Sequence, residues 1–455
     1  MSVRRIAIVA LIVLSARQPA AQQTTVAFEH VTYIPMDSEQ VRSDATVVVT
    51  NRVISTVGSG DVKLPEGAVR IDGRGKFLMP ALAEMHAHIP TDPAEAERVL
   101  FMYVANGIGT IRSMLGDPSH FRLRERVIRG EIVGPTMWLG GPSFNGQTAS
   151  TPAAAAERAV SQKKAGYDFL KIHPGVSRPA FDALAAAADK AAIRFAGHVP
   201  LDVGLPRALQ AKYWTIDHLD GYVEALAGPR GRDSQNFGVN LMSRIDESRI
   251  AALATETKAA GVWNVPTQIL LENWYGPDSA ETMRQRPEMQ YVRAAELAQW
   301  MAAKRSNDAD VSAQDRAKFV SVRRRLLKAL QDAGAGLLLG SDAPQVWNVP
   351  GFSIHRELAS YVAAGLTPYQ ALATGTRNVR TAYAGNREPA KGSSIANVRF
   401  APPPTETGLR ADFVLLDANP LQNIANTSRI AGVFIGGRWM AKTEIDRNLA
   451  KLRKQ

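Results

Sequence analysis

Apolar residues recur along this chain in two rhythms, and the change from one to the other divides it. Residues 26 to 76 carry short β-branched runs, VAFEHVTYI, ATVVVTNRVISTVG and AVRIDGRG, separated by turn residues, which is an all-β pattern. The same texture returns near the end in GLRADFVLLDANP and IAGVFIGGRWM. Two β-rich ends around a different middle predict one small β-sandwich domain assembled from both termini, residues 22–78 with 390–455. In the middle, 79–389, apolar strands alternate with helical stretches: KFLMPALAEMHAH, GIGTIRSML, GPTMWLGG, YDFLKIH, RFAGHV, YWTIDHL, GVWNVPTQ and GAGLLLGSDA. Thr151 followed by Pro152 opens one of the helices, and Gly166 follows its end. Eight such strands predict an α/β fold of the (β/α)8 TIM-barrel type. Residues 269–333 are too long for one crossover helix and predict a helical cap over the barrel mouth.

That arrangement gives particular residues a shared address. His86 and His88 stand one residue apart at the end of the first strand, where side chains at i and i+2 point to one side. Lys171 closes YDFLK, His198 closes RFAGH, His218 closes YWTIDH and Asp342 closes GLLLGSD. In a barrel the active site lies at the C-terminal ends of the strands. Any one of these side chains alone reads as a surface or satisfied core group; together they point to a metal centre.

Composition narrows the chemistry. The chain has 455 residues, 45% of them hydrophobic, and no cysteine, so a metal must be held by nitrogen and oxygen donors. Arg4 and Arg5, an apolar run from Ile6 to Leu14 and a small-residue end at Ala20 and Ala21 have the layout of a signal peptide over residues 1–21. The run is too short to span a bilayer, so a periplasmic or secreted protein without a membrane span is expected. The formal charge of +11 could attract anions, but the basic residues are dispersed and no nucleic-acid motif is present.

The sequence resembles the amidohydrolase superfamily, in particular its secreted imidazolonepropionase-like and prolidase-like members. The resemblance runs through VVVTNRVISTVG, IDGRGKFLMPALAEMHAH, RERVIRGEIVGP, HLDGY, GSDAP, SIHRELASYVAAGLTPYQAL and GLRADFVLLDANPLQNI. It implies two divalent metal ions, usually zinc. His86, His88 and Asp342 would hold the first, His198 and His218 the second, and Lys171 would bridge them. An ammonium offers no lone pair, so the bridge implies carbon dioxide added to Lys171 as a carbamate; the other reading of Lys171 is a barrel-mouth lysine that binds a substrate anion. The chain also departs from the family: Ala81 and Glu84 stand where glycine and aspartate are usual, and the third-strand loop GGPSFNGQTAS holds no histidine, leaving Asn145, Gln147 or Thr148 as substitute donors.

The resemblance implies an exported hydrolase that cuts an amide or cyclic amide C–N bond, of a dipeptide or N-acyl amino acid, by metal-activated hydroxide. Asp342 would move the proton. Tyr222 and His355 would either hold the oxyanion or a substrate carboxylate, or serve packing. Trp274, Tyr275 and Trp347 either line an apolar pocket or cover the cap's own core. Two other readings stand beside this one: a lactone or ester hydrolase with the same centre, and a barrel that binds without catalysis. The expected partner is a small molecule, carboxylate-bearing or not, and the chain could form a homo-oligomer.

Overall fold

The computed structural model describes residues 25–384 and 407–453; the leader read over 1–21 lies outside the described residues, as do residues 390–406 of the C-terminal β-region. Eight strands from the two ends of the chain build one sheet. They are β1 (Thr25–Tyr33), β2 (Arg42–Thr50), β3 (Val53–Ser59), β4 (Val69–Asp72) and β5 (Phe77–Pro80) from the first, and β14 (Phe413–Leu416), β15 (Ile430–Ile435) and β16 (Arg438–Ala441) from the second. The order is β16-β15-β14-β5-β1-β2-β3, with β4 beside β1, so β14 against β5 joins the two ends. Asn51 and Arg52 turn the β2–β3 hairpin, both at positive φ (52° and 68°), as a two-residue loop between right-twisted strands requires. Phe28, fully buried, meets the edges of Phe413, Phe434 and Trp439 at 5.5–5.9 Å between ring centres, so residues 385 to 411 positions apart share one core.

The middle of the chain supplies eight parallel strands in two arcs. The first is β6 (Leu82–Ala87), β7 (Ile108–Ser113) and β8 (Thr136–Leu139). The second is β9 (Phe169–Ile172), β10 (Arg194–Gly197), β11 (Thr215–Asp217), β12 (Trp263–Val265) and β13 (Gly336–Leu337). Isolated parallel bridges cross both gaps, Gly140 to Phe169 on one side and Ala87 to Ala343 on the other. Each of the eight apolar segments of the sequence contains one of these strands. Between them run helices such as Pro152–Ala165, which Thr151 caps by accepting from the Ala154 N–H and which Gly166 ends at φ 92°.

Between β12 and β13 the chain makes an excursion of helices at Gln268–Tyr275, Ala280–Arg284 and Ala294–Asp310 before the long helix Ala313–Asp332. Its aromatics pack inward. Tyr275 lies against Phe319 at 5.0 Å, and Trp300 lies 5.9 Å from Trp347, which is fully buried in the segment after β13. Of the two readings of these residues, the structure supports the cap's own core for Tyr275 and Trp347. The carbonyl of Trp274 accepts from Lys304 Nζ and Asn307 Nδ2, which ties that helix to its neighbour.

Candidate metal centre

The C-terminal ends of β6, β9, β10, β11 and the segment after β13 converge on one cluster of imidazoles. Successive ring centres lie 5.4 Å apart for His88 and His86, 4.6 Å for His86 and His218, and 4.4 Å for His218 and His198. Asp342 closes the group: its Oδ1 is 2.7 Å from His88 Nε2 and 3.5 Å from His86 Nε2. His86, His88 and Asp342 can each aim one donor atom so that all three lie within 4.8 Å of one another, a set of nitrogen and oxygen donors suited to a divalent cation.

Local backbone aims these groups. Asp342 and His218 both stand in the left-handed region, at φ 64° and 62°, so each departs from the strand direction at the point where its side chain must turn inward. Two glycines leave room for their neighbours. A Cβ on Gly197, itself at φ 122°, would lie 2.5 Å from the Ile172 carbonyl oxygen and 2.9 Å from Lys171 Cδ; one on Gly340 would lie 2.9 Å from the His86 nitrogen.

Neighbouring groups hold the rings in fixed orientations. His218 Nδ1 is 2.8 Å from Thr267 Oγ1, whose own hydrogen goes to the Pro266 carbonyl, so the imidazole donates from Nδ1. Nε2 of that ring is then a buried lone pair without a partner. Asp217 Oδ2 lies 2.9 Å from His86 Nδ1, a close contact without hydrogen-bond geometry, and Arg112 in turn holds both Asp217 oxygens at 3.2 Å inside the strand layer. Asp220 Oδ2 lies 2.7 Å from His198 Nδ1. A carboxylate behind a ligating imidazole fixes its tautomer and raises its basicity.

The electrostatics favour neutral ligands. Burial, then the nearby Lys171 charge, holds His86 well below the usual histidine range and pushes His198 down to about 3; burial and His198 do the same for His218. Burial lowers Lys171 as well, and its Nζ is buried with no hydrogen-bond partner. Burial raises Asp220 to about 7. The neutral lysine amine is the form that can add carbon dioxide, and two orphaned nitrogens, Lys171 Nζ and His218 Nε2, fit the donor set of a metal centre.

Two expected residues lead elsewhere. The Tyr222 hydroxyl is bound to Thr257 Oγ1 in the layer between strands and helices, and His355 Nδ1 to Thr427 Oγ1 beside the C-terminal strands. Neither hydrogen bond turns its side chain toward the imidazole cluster. Glu84 accepts from the N–H groups of His86 and Ser341 and from the Ser341 hydroxyl, and so pins the seam between first and last strands. Conversely, Asp217, Asp220 and His173 belong to the site without having been singled out in the sequence. His173 follows Lys171 by two residues, the same-side spacing already used for His86 and His88. Its ring stands 5.1 Å from that of His198, and burial, Lys171 and His198 push it down to about 3.

Solved structures with this fold include bottromycin amidohydrolase, at 22% identity with a TM-score of 0.71 over 94% of this chain and 89% of that one. A putative prolidase from Bifidobacterium longum is similar at 20% identity and a TM-score of 0.63, over 94% and 99%. Molinate hydrolase is similar at 17% and 0.63, over 92% and 95%. No protein-family model and no curated protein matches the sequence. The structural neighbours are amidohydrolase-superfamily members, and at these identities the likeness is one of fold.

Proposed function

We propose that this chain is an exported, metal-dependent amidohydrolase that cuts an amide or cyclic amide C–N bond of a dipeptide or N-acyl amino acid. The observation that carries this reading is the pair of buried, partnerless nitrogens, Lys171 Nζ and His218 Nε2, beside the His86, His88 and Asp342 donors. Burying such groups without a partner costs free energy, on the order of 1–3 kcal/mol each, unless something binds them. In this reading the two arcs close into a (β/α)8 barrel through the bridges at Gly140 and Ala343. His86, His88 and Asp342 would hold one divalent ion, His198 and His218 would hold a second, and Lys171, once carboxylated, would supply oxygen donors to the centre. Bound there, such ions supply Lewis acidity toward the scissile carbonyl and toward water.

The chain's own groups do the rest. Asp342 takes the proton of the attacking water and returns it to the departing nitrogen. Asp220 holds His198 in the tautomer that leaves Nε2 bare, and Asp217 sets its carboxylate beside the His86 ring. Leu115 and Leu201, 44% and 50% exposed, follow β7 and β10 at the same end as the histidines, and Phe237 lies 5.9 Å from the His218 ring. That apolar rim supports a substrate with an apolar side chain.

Metal analysis of the purified protein beside a panel of dipeptides, N-acyl amino acids and lactones tests the reading. Two equivalents of metal with hydrolysis of the amides support it. Turnover of lactones alone would make the chain an ester hydrolase, and metal without turnover of any member would leave a binding protein. His198→Ala should lose one of the two ions while staying folded, and unchanged metal content would remove His198 from the centre. Export predicts a mature N-terminus near Gln22 in a secreting host; intact mass retaining Met1 outside the cytoplasm would refute it.

A further inference from the structure

His173 has no part in the ligand set just described, yet the fold holds it at the mouth of that site. Phe169 lies among the side chains packed between the strands with Ala196 and Val265, while Leu170 and Ile172 belong to the outer layer under the helices. The alternation puts Lys171 and His173 on the inner side, one above the other. The third-strand loop pins the position: the Phe144 N–H donates to the Lys171 carbonyl at 2.8 Å, and the His173 N–H donates back to the Phe144 carbonyl at 2.7 Å. The ring is only partly buried and neither nitrogen has a hydrogen-bond partner among the described residues, although it stands edge-on to His198.

The polar side chains of that loop are not equally free. Asn145 Oδ1 accepts from the N–H groups of Gln147 and Thr148, at 2.9 Å each, and Thr148 Oγ1 accepts from the Asn145 N–H and donates to the Ser143 carbonyl. Asn145 and Thr148 are thus occupied in turning the loop. Gln147 is exposed and only its backbone N–H is engaged, whereas His173 is an imidazole held by backbone pairing, with a bare N–H at the open end of the histidine row.

We propose that His173 contacts substrate, donating a hydrogen bond to the acyl oxygen of the scissile group as negative charge develops on it. This rests on the amidohydrolase reading above. A ring N–H held in place by the backbone suits the task, because a donor already positioned where negative charge develops need not reorganise during reaction. It also accounts for a third-strand loop that carries no histidine: the donor comes from the neighbouring strand, and the loop's part is to hold it.

The test uses zinc-loaded full-length protein as wild type, His173→Ala and His173→Gln, with bound metal measured by mass spectrometry and binding of N-methylphosphonyl-L-leucine by calorimetry. The phosphonate presents the tetrahedral oxygens of the attacked carbonyl. Both variants should keep wild-type metal content. His173→Ala should weaken phosphonate binding by about 10²-fold, the usual effect of removing one oxyanion donor, and His173→Gln should recover part of it because its amide can still donate. Loss of metal in His173→Ala would make His173 a ligand and overturn the proposal, as would unchanged phosphonate affinity. Wild-type protein that binds zinc but not the phosphonate would overturn the amidohydrolase reading itself, and the assignment of His173 with it.

Discussion

The two-ended β-sheet and the mouth of the parallel strands treat buried groups in opposite ways. In the sheet, Phe28 is enclosed by Phe413, Phe434 and Trp439, and among the described residues of its strands no buried side-chain nitrogen or oxygen lacks a partner. At the mouth, Lys171 Nζ and His218 Nε2 are buried and partnerless, His218 and Asp342 stand at positive φ, and burial pushes His86, His198, His218 and Lys171 toward their neutral forms. One region is built to be stable as it is; the other accepts unfavourable contacts that only a bound ligand can offset. The contrast teaches where in a large fold to look for chemistry: unpartnered buried atoms also occur away from the mouth, at His120 and Gln162 among others, so it is their coincidence with converging nitrogen and oxygen donors that marks a site.

The strongest challenge to this contrast is Asp342→Asn. It keeps an oxygen donor of the same shape and removes the base, so metal should remain while turnover falls by about 10²- to 10⁴-fold. Near-native turnover with metal retained would move the proton to another group, with Glu84 the nearest carboxyl on the first strand. Phe28→Ala tests the other region. Losing a fully buried ring should cost roughly 3–5 kcal/mol in chemical denaturation, with unchanged metal content per folded molecule. A parallel loss of metal would show that the two regions are not separable.

A smaller effect should follow from Gly197→Ala, which brings a methyl against the Ile172 carbonyl and Lys171 Cδ at a positive φ. The fold should survive at a cost of about 1–3 kcal/mol, and the second metal should bind more weakly, as titration with zinc would show. Unaltered zinc affinity would mean that the position of Lys171 does not depend on that gap.

The smallest effect concerns pH. Glu357 is buried, accepts from the Gln268 and Ile269 N–H groups, and burial raises its carboxyl from an ordinary 4.5 to about 8. A raised acid binds its proton more tightly when folded, so its contribution to stability is complete below pH 4.5 and is lost as pH rises toward 8. Glu357→Gln should therefore flatten the decline of the denaturation midpoint across that window; an unchanged slope would show that another group carries it.

Much of this was legible along the chain, for reasons that differ by element. Each of the eight apolar segments carries a strand because alternation and length are local properties, and His86, His88, Lys171, His198 and Asp342 could be placed because each terminates a segment already identified. His173 was within reach of the same rule, since it follows Lys171 by two residues. For Tyr222 and His355 the motif position did not say which partner each would meet, Thr257 and Thr427 in the structure, because the direction of a side chain on a helix is set by packing.

What the sequence by itself determined, then, is the succession of strands and helices, the β-rich ends and the polar residues at strand ends, all set by periodicities of two and 3.6 residues acting within a few turns of chain. Only the tertiary structure decided which carboxylate stands behind which imidazole. Asp217 reaches His86 across 131 positions, Arg112 holds Asp217 from another strand, and Tyr222 finds Thr257 rather than the cluster. Such pairings depend on strand order and on the space left by neighbours such as Gly197 and Gly340, which close packing fixes and no local pattern encodes.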